Sequence, residues 1–300
     1  MGADVARESK AAREVFEVAD STLGFGLSKL CFEGPEEELR RTELQQPAIL
    51  TTSVALLRAL EERAPIDAAY VGGHSLGEYS ALVAAGGLGF EDAVRLVHAR
   101  GRFMQEAVSE GRGAMAAVMG CSPETVADAC ARASEETGGL VTPANYNAPQ
   151  QTVIAGDAPA VEIACTRARE LGARRTVPLA VSAPFHCALM EPAAAKLELE
   201  LAGIPFRDPH PPVVTNVEAE PNCEARRIPA LLREQVTAPV RFTDMGEKFQ
   251  ELGVTRYLEI GPGRVLVGLL ARSQRRSQRA SCSGVADLAD ALRFAAGDAA

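Results

Sequence analysis

Nowhere does the chain hold a run of about 18 apolar residues, which excludes a membrane-spanning helix. Its start, Met1-Gly2-Ala3-Asp4, has no basic segment leading into an apolar one, so no secretory signal is read there and a cytoplasmic protein is expected. An excess of positive charge is also missing. The formal net charge is −9 and the isoelectric point lies near 5.2, which argues against general nucleic-acid binding and leaves a local basic patch open. The seven cysteines (Cys31, Cys121, Cys130, Cys165, Cys187, Cys223 and Cys282) contain no C-x-x-C pair. An odd number without such pairs fits neither a disulfide framework nor a zinc site, and small buried thiols are expected. The four histidines (His74, His98, His186 and His210) show no H-x-x-x-H spacing, so no metal site is expected. There is no long internal repeat, and the one biased tract is the alanine-rich end at 295–300.

What is present is ordinary for a globular protein: 300 residues, 47% hydrophobic and 24% charged, enough for one large domain or a domain carrying an inserted subdomain. Apolar spacing predicts a helix over 4–23 and a second over 48–62, opened by Gln46-Pro47. A short apolar strand at 68–71 leads into Gly72-Gly73-His74-Ser75-Leu76-Gly77, then a helix near 78–85 and another over 90–108. From Gly113 the pattern changes to strand 114–119, helix 123–137, strands 141–145 and 152–155, helix 158–171 and strand 174–179. That βαββαβ order is the split arrangement of a ferredoxin-like unit, and 113–180 reads as an inserted subdomain. The parent domain, 1–112 and 181–300, resumes with helices at 187–201, 228–235, 242–252 and 265–272 and strands at 213–217 and 257–260. Alternating strands and helices predict a mostly parallel α/β sheet. The polar, basic stretch 273–283 reads as a loop.

The strongest chemical signal is Gly73-His74-Ser75-Leu76-Gly77, a G-x-S-x-G pattern between a strand and a helix. In that context the serine sits on a sharp turn with its hydroxyl above the sheet, and glycines on either side avoid clashes. The following helix points its N-terminus at the site, so the Leu76 N–H can donate to a developing oxyanion. The competing reading is a tight turn with no chemistry. A serine nucleophile needs a base. His186, on a loop between a strand end and a helix, is the best placed, against the plainer reading of a histidine at a helix start. Arg100 is informative by its place on helix 90–108. With Val97 as origin, Ala93, Val94, Gly101, Met104 and Val108 form an apolar stripe, and Arg100 falls at its edge, about 60° away. An inward arginine implies either an internal ion pair or bidentate capture of a substrate carboxylate.

Together these residues resemble the malonyl-coenzyme A: acyl carrier protein transacylase family of bacterial fatty acid synthesis. The resemblance is carried by 73–82, 92–97, 100–108, 113–118, 186–190 and 259–266, in order along essentially the whole chain. It implies an α/β-hydrolase-like core with a ferredoxin-like insertion. It also implies Ser75 as the acylated nucleophile, His186 as its base, Arg100 as the holder of the malonyl carboxylate, and a Gln235 backbone carbonyl that orients the histidine. Asn145 and Asn147 match asparagines near the cleft between subdomains, and Leu76 and Phe185 resemble members that select malonyl over methylmalonyl. The implied partners are malonyl-CoA and acyl carrier protein, with no metal or organic cofactor and a monomeric state.

The family normally opens with a strand and a Gly-Gln-Gly-x-Gln loop that supplies a second oxyanion donor. This chain starts past that point, so a start about a dozen or more residues upstream is expected, the alternative being a short protein weakened by loss of a donor. Three rival functions share the same residues: a serine thioesterase or esterase, an acyltransferase serving a polyketide synthase, and a non-catalytic module that binds carrier protein. Arg272, Arg275, Arg276 and Arg279 are a candidate patch for the acidic carrier, or else a solvated segment.

Overall fold

A computed structural model describes residues 1–181 and 183–297. The fold is mixed α/β, with strands in three small sheets and helices packed around them. The strands are β1 (Val71–Gly72), β2 (Gly113–Met119), β3 (Val141–Ala148), β4 (Gln151–Asp157), β5 (Arg175–Pro178), β6 (Val213–Val214), β7 (Pro221–Asn222), β8 (Arg256–Ile260) and β9 (Gln278–Cys282).

In the main lobe the mostly parallel sheet that was expected is divided: among the described residues β1 pairs in parallel with β6 and β8 with β9, in separate sheets, and β7 joins β6 antiparallel. The strand expected at 68–71 is corrected to the two residues Val71–Gly72, which pair with the equally short Val213–Val214. The supposed loop 273–283 contains β9, whose polar residues pair in parallel with β8 from Arg256↔Gln278 to Ile260↔Cys282. Its composition hides a strand that tertiary pairing creates. Of the alanine-rich end, Ala295 and Ala296 close a helix, Leu288–Ala296, and residues 298–300 lie outside the described residues.

Helices fold largely as their local chemistry directs. The expected helix 4–23 divides at Ser9, whose hydroxyl accepts from the Ala12 N–H and so caps Lys10–Leu23. Val5, Ala12, Val15, Phe16 and Ala19 are all buried, as their spacing predicts. Two short helices that were not expected follow, Leu27–Glu33 and Glu36–Leu39, and the helix expected at 48–62 is corrected: it runs Thr42–Glu61 with Pro47 inside it. Helix Phe90–Glu106 crosses so closely here that a Cβ on Gly101 would stand 2.5 Å from the Thr42 carbonyl oxygen. Packing, not the proline, sets where that helix begins.

The small lobe follows the expected order. β2, helix Pro123–Thr137, β3, β4, helix Ala158–Glu170 and β5 build an antiparallel sheet ordered β3-β4-β2-β5. Alternation along β2 divides its two faces. Ala116 and Val118 pack on the two helices with Val126, Cys130, Ile154 and Val161, while Met115 and Ala117 face Cys187 and Phe185. The second face therefore lies against the segment that carries His186.

Candidate active site

Ser75 is the N-cap of helix Leu76–Ala84, with φ 52° and ψ −105°. This is a sparsely populated conformation for a residue with a Cβ. Of the two motif glycines, only Gly73 is required by space: a Cβ there would stand 2.2 Å from the Gly77 carbonyl carbon, whereas one on Gly77 meets nothing within 4 Å. The turn is clamped by Asn216, which is fully buried just beyond β6. Its Oδ1 accepts from the Ser75 N–H at 2.6 Å, and its Nδ2 donates to the Gly73 carbonyl at 2.7 Å.

His186 reaches this serine across the chain. Its Nε2 lies 2.8 Å from Ser75 Oγ and its Nδ1 lies 2.8 Å from the Gln235 carbonyl oxygen. A carbonyl can only accept, so Nδ1 carries the ring proton and Nε2 is the acceptor that faces the serine hydroxyl. Burial pushes the imidazole down to about 3, and the nearby Arg100 charge adds to the shift. The ring is therefore neutral near pH 7 and free to take a proton.

Arg100 is 2% exposed and stands on the inner edge of helix Phe90–Glu106. One terminal nitrogen donates to Gln46 Oε1 at 2.7 Å. The other donates to Gln235 Oε1 at 2.9 Å and to Ser75 Oγ at 3.0 Å. Its guanidinium carbon lies 5.3 Å from the centroid of the Tyr79 ring. All three acceptors are neutral, so the structure puts the cation on the serine in place of the internal ion pair that was the plainer reading. Burial lowers the Arg100 pKa, opposed by the Tyr79 and Glu78 charges.

The remaining expected residues lie around this centre. Leu76 is the first residue of its helix, so its N–H has no intrahelical acceptor. Phe185 packs between the main core and the inner face of the small sheet. Asn145 bridges to Val240 at the joint between the lobes, and Asn147 Oδ1 lies 2.7 Å from His74 Nε2. His74 turns away from the serine, as expected, and ties the turn to the small lobe. The basic patch is divided: Arg272 reaches Gln151 and Arg279 turns to the Gln274 carbonyl, leaving Arg275 and Arg276 exposed.

Three site residues escaped the sequence reading. Gln46 and Asn216 carry no local signal, because their partners are remote in the chain. Glu78 could have been noticed, since it stands one turn after Ser75 on the same helix. It is 2% exposed, and its Oε2 accepts from Gln235 Nε2 at 2.7 Å and from the Asn216 N–H at 3.0 Å. Burial pushes its carboxyl up to about 7, against the pull of those donors and of Arg100.

Known proteins share this architecture. A model of the acyl transferase domain family matches residues 1–291. The chain is 48% identical over 272 residues to the malonyl CoA-acyl carrier protein transacylase of Escherichia coli K12, covering 91% of this chain and 87% of that one. It is 48% identical over 276 residues to the Bacillus subtilis protein of the same name, covering 92% and 86%. A solved malonyl-transacylase in complex with a type II polyketide acyl carrier protein superposes with a TM-score of 0.94 at 45% identity, covering 98% of this chain and 94% of that one.

Proposed function

The chain belongs to the acyl transferase family and is an acyltransferase, and we infer from that membership that it moves a malonyl group from malonyl-CoA to the phosphopantetheine thiol of acyl carrier protein through an ester on Ser75. His186 Nε2 takes the Ser75 proton as Oγ attacks the thioester carbonyl. The Leu76 N–H faces the oxyanion, and the imidazolium returns the proton to the departing coenzyme A thiolate. In the second half the carrier thiol gives its proton to His186 and attacks the serine ester, and Ser75 leaves with that proton. The Gln235 carbonyl holds the imidazole in the tautomer both halves need, without a triad aspartate.

The observation that carries this reading is Arg100, buried, bonded to neutral groups, and 3.0 Å from Ser75 Oγ. A plain esterase or thioesterase has no use for such a cation, whereas a malonyl group brings a free carboxylate to it. The completed serine–histidine geometry speaks against a purely binding module. Phe185 beside His186 leaves less room for a branch methyl, a preference worth about 1–3 kcal/mol. We read Asn145 and Asn147 as lining the cleft between lobes. We also read the main lobe as hydrolase-like, from its strand–turn–helix serine, and 113–180 as ferredoxin-like, from its sheet order. We read the transfer as needing no metal or organic cofactor. Unpaired cysteines throughout fit a reducing cytoplasm. We place the transfer in fatty acid synthesis; a polyketide carrier would use the same chemistry, and the solved complex with such a carrier supports that second reading.

Intact mass after brief mixing with malonyl-CoA tests the ester directly. One malonyl adduct on the chain, absent from Ser75→Ala, is expected. An unmodified wild-type chain would sink the assignment.

A further inference from the structure

A buried guanidinium is costly without a counter-charge, yet among the described residues Arg100 donates to two amide oxygens and a hydroxyl. The nearby acid is Glu78, and it lies one amide away. Gln235 stands between them, with Oε1 accepting from Arg100 at 2.9 Å and Nε2 donating to Glu78 Oε2 at 2.7 Å. A carboxylate only accepts and a guanidinium only donates, so the amide between them has one orientation. Turned over, it would set its N–H groups against the guanidinium and its oxygen against the carboxylate. The same Glu78 oxygen accepts from the Asn216 N–H, and Asn216 clamps the serine turn.

We propose that Glu78 is a positioning residue: through the Gln235 amide it supplies the counter-charge of Arg100 at one remove and holds the guanidinium on Ser75. A carboxylate in direct contact would pair with the cation outright and compete with the carboxylate of the acyl group; at one amide's remove its hold on Arg100 is weaker and that competition smaller. The relay is built by the turn itself, because Glu78 follows Ser75 by one helical turn and lies beneath it. This inference rests on the acyl-serine reading and adds that selection of a carboxylated acyl group depends on a residue that never touches it.

The test pairs two serine reagents on Glu78→Gln, which keeps size and an acceptor for Gln235 but removes the charge. Malonyl-CoA reports the carboxylate contact. A fluorophosphonate, which carries no carboxylate, reports Ser75 and His186 alone. Malonyl-serine formation is expected to slow about tenfold or more, the size of a charge-assisted contact. Fluorophosphonate labelling should stay within about threefold of wild type. Glu78→Asp, which keeps the charge but shortens its reach to the Gln235 amide, should show a smaller split in the same direction, so the test survives if one variant folds poorly. Equal losses with both reagents would assign Glu78 a merely structural role and overturn the proposal, as would no loss with either. If the wild-type chain forms no malonyl adduct, the acyl-serine reading fails first; an adduct with an unchanged Glu78→Gln rate removes only the relay.

Discussion

Ser75 and His186 both hold positive φ angles, 52° and 60°, though neither is glycine. Such conformations cost about 1–3 kcal/mol each and persist where the surroundings impose them; here the Asn216 clamp and the packing of 183–187 against the small sheet do so. At this scale Arg100→Ala should lower malonyl transfer roughly 10- to 100-fold more than acetyl transfer, since only the malonyl group loses a charged contact. Rates with the two coenzyme A esters check it, and equal losses would count against the carboxylate role. The low His186 pKa has a stability consequence. The folded chain keeps the ring neutral down to about pH 3, while in the unfolded chain the imidazole protonates near its ordinary value of 6.5. Between those values the unfolded state binds the extra proton, so stability is full above 6.5 and is lost as pH falls through that window. His186→Gln has no ring to protonate and should lose less stability than wild type from pH 6.5 to 4.5 in denaturant titrations. Parallel curves for the two proteins would show that burial does not hold the ring neutral.

The serine turn is the element on which the site depends, and its two glycines are not equivalent. Gly73→Ala drives a Cβ into the backbone of Gly77 and should cost about 3 kcal/mol or more, or abolish serine labelling. Gly77→Ala adds a methyl to open space on a helix and should stay within about 1 kcal/mol of wild type. Unfolding midpoints of the two variants decide it. Other elements show where local reading works. Helix Pro123–Thr137 has a serine cap and an amphipathic stripe, so its ends are legible. The start at Thr42 and the strand Gln278–Cys282 are not, because a helix crossing and a parallel partner create them.

Across the whole molecule, the site depends on the joint between lobes. The Asn145–Val240 bridge, the Thr243 hydroxyl on the Tyr146 carbonyl, and His74 on Asn147 tie the small sheet to the main lobe. Asn147→Ala leaves the half-buried His74 nitrogen unpaired, for about 1–3 kcal/mol and a melting point lower by about 2–5 °C. An unchanged melting curve would mean that this contact carries no share of the joint. The sequence alone determined the serine turn, the βαββαβ lobe, and the candidacies of His186 and Arg100, because turn glycines, strand alternation and helical spacing are local properties written in neighbouring residues. Only the tertiary structure decided that Arg100 faces the serine instead of an internal carboxylate, and that Gln46, Asn216 and Glu78 complete its surroundings. Those contacts join residues up to 157 positions apart, and a hydrogen bond between distant segments leaves no trace in the pattern of either one.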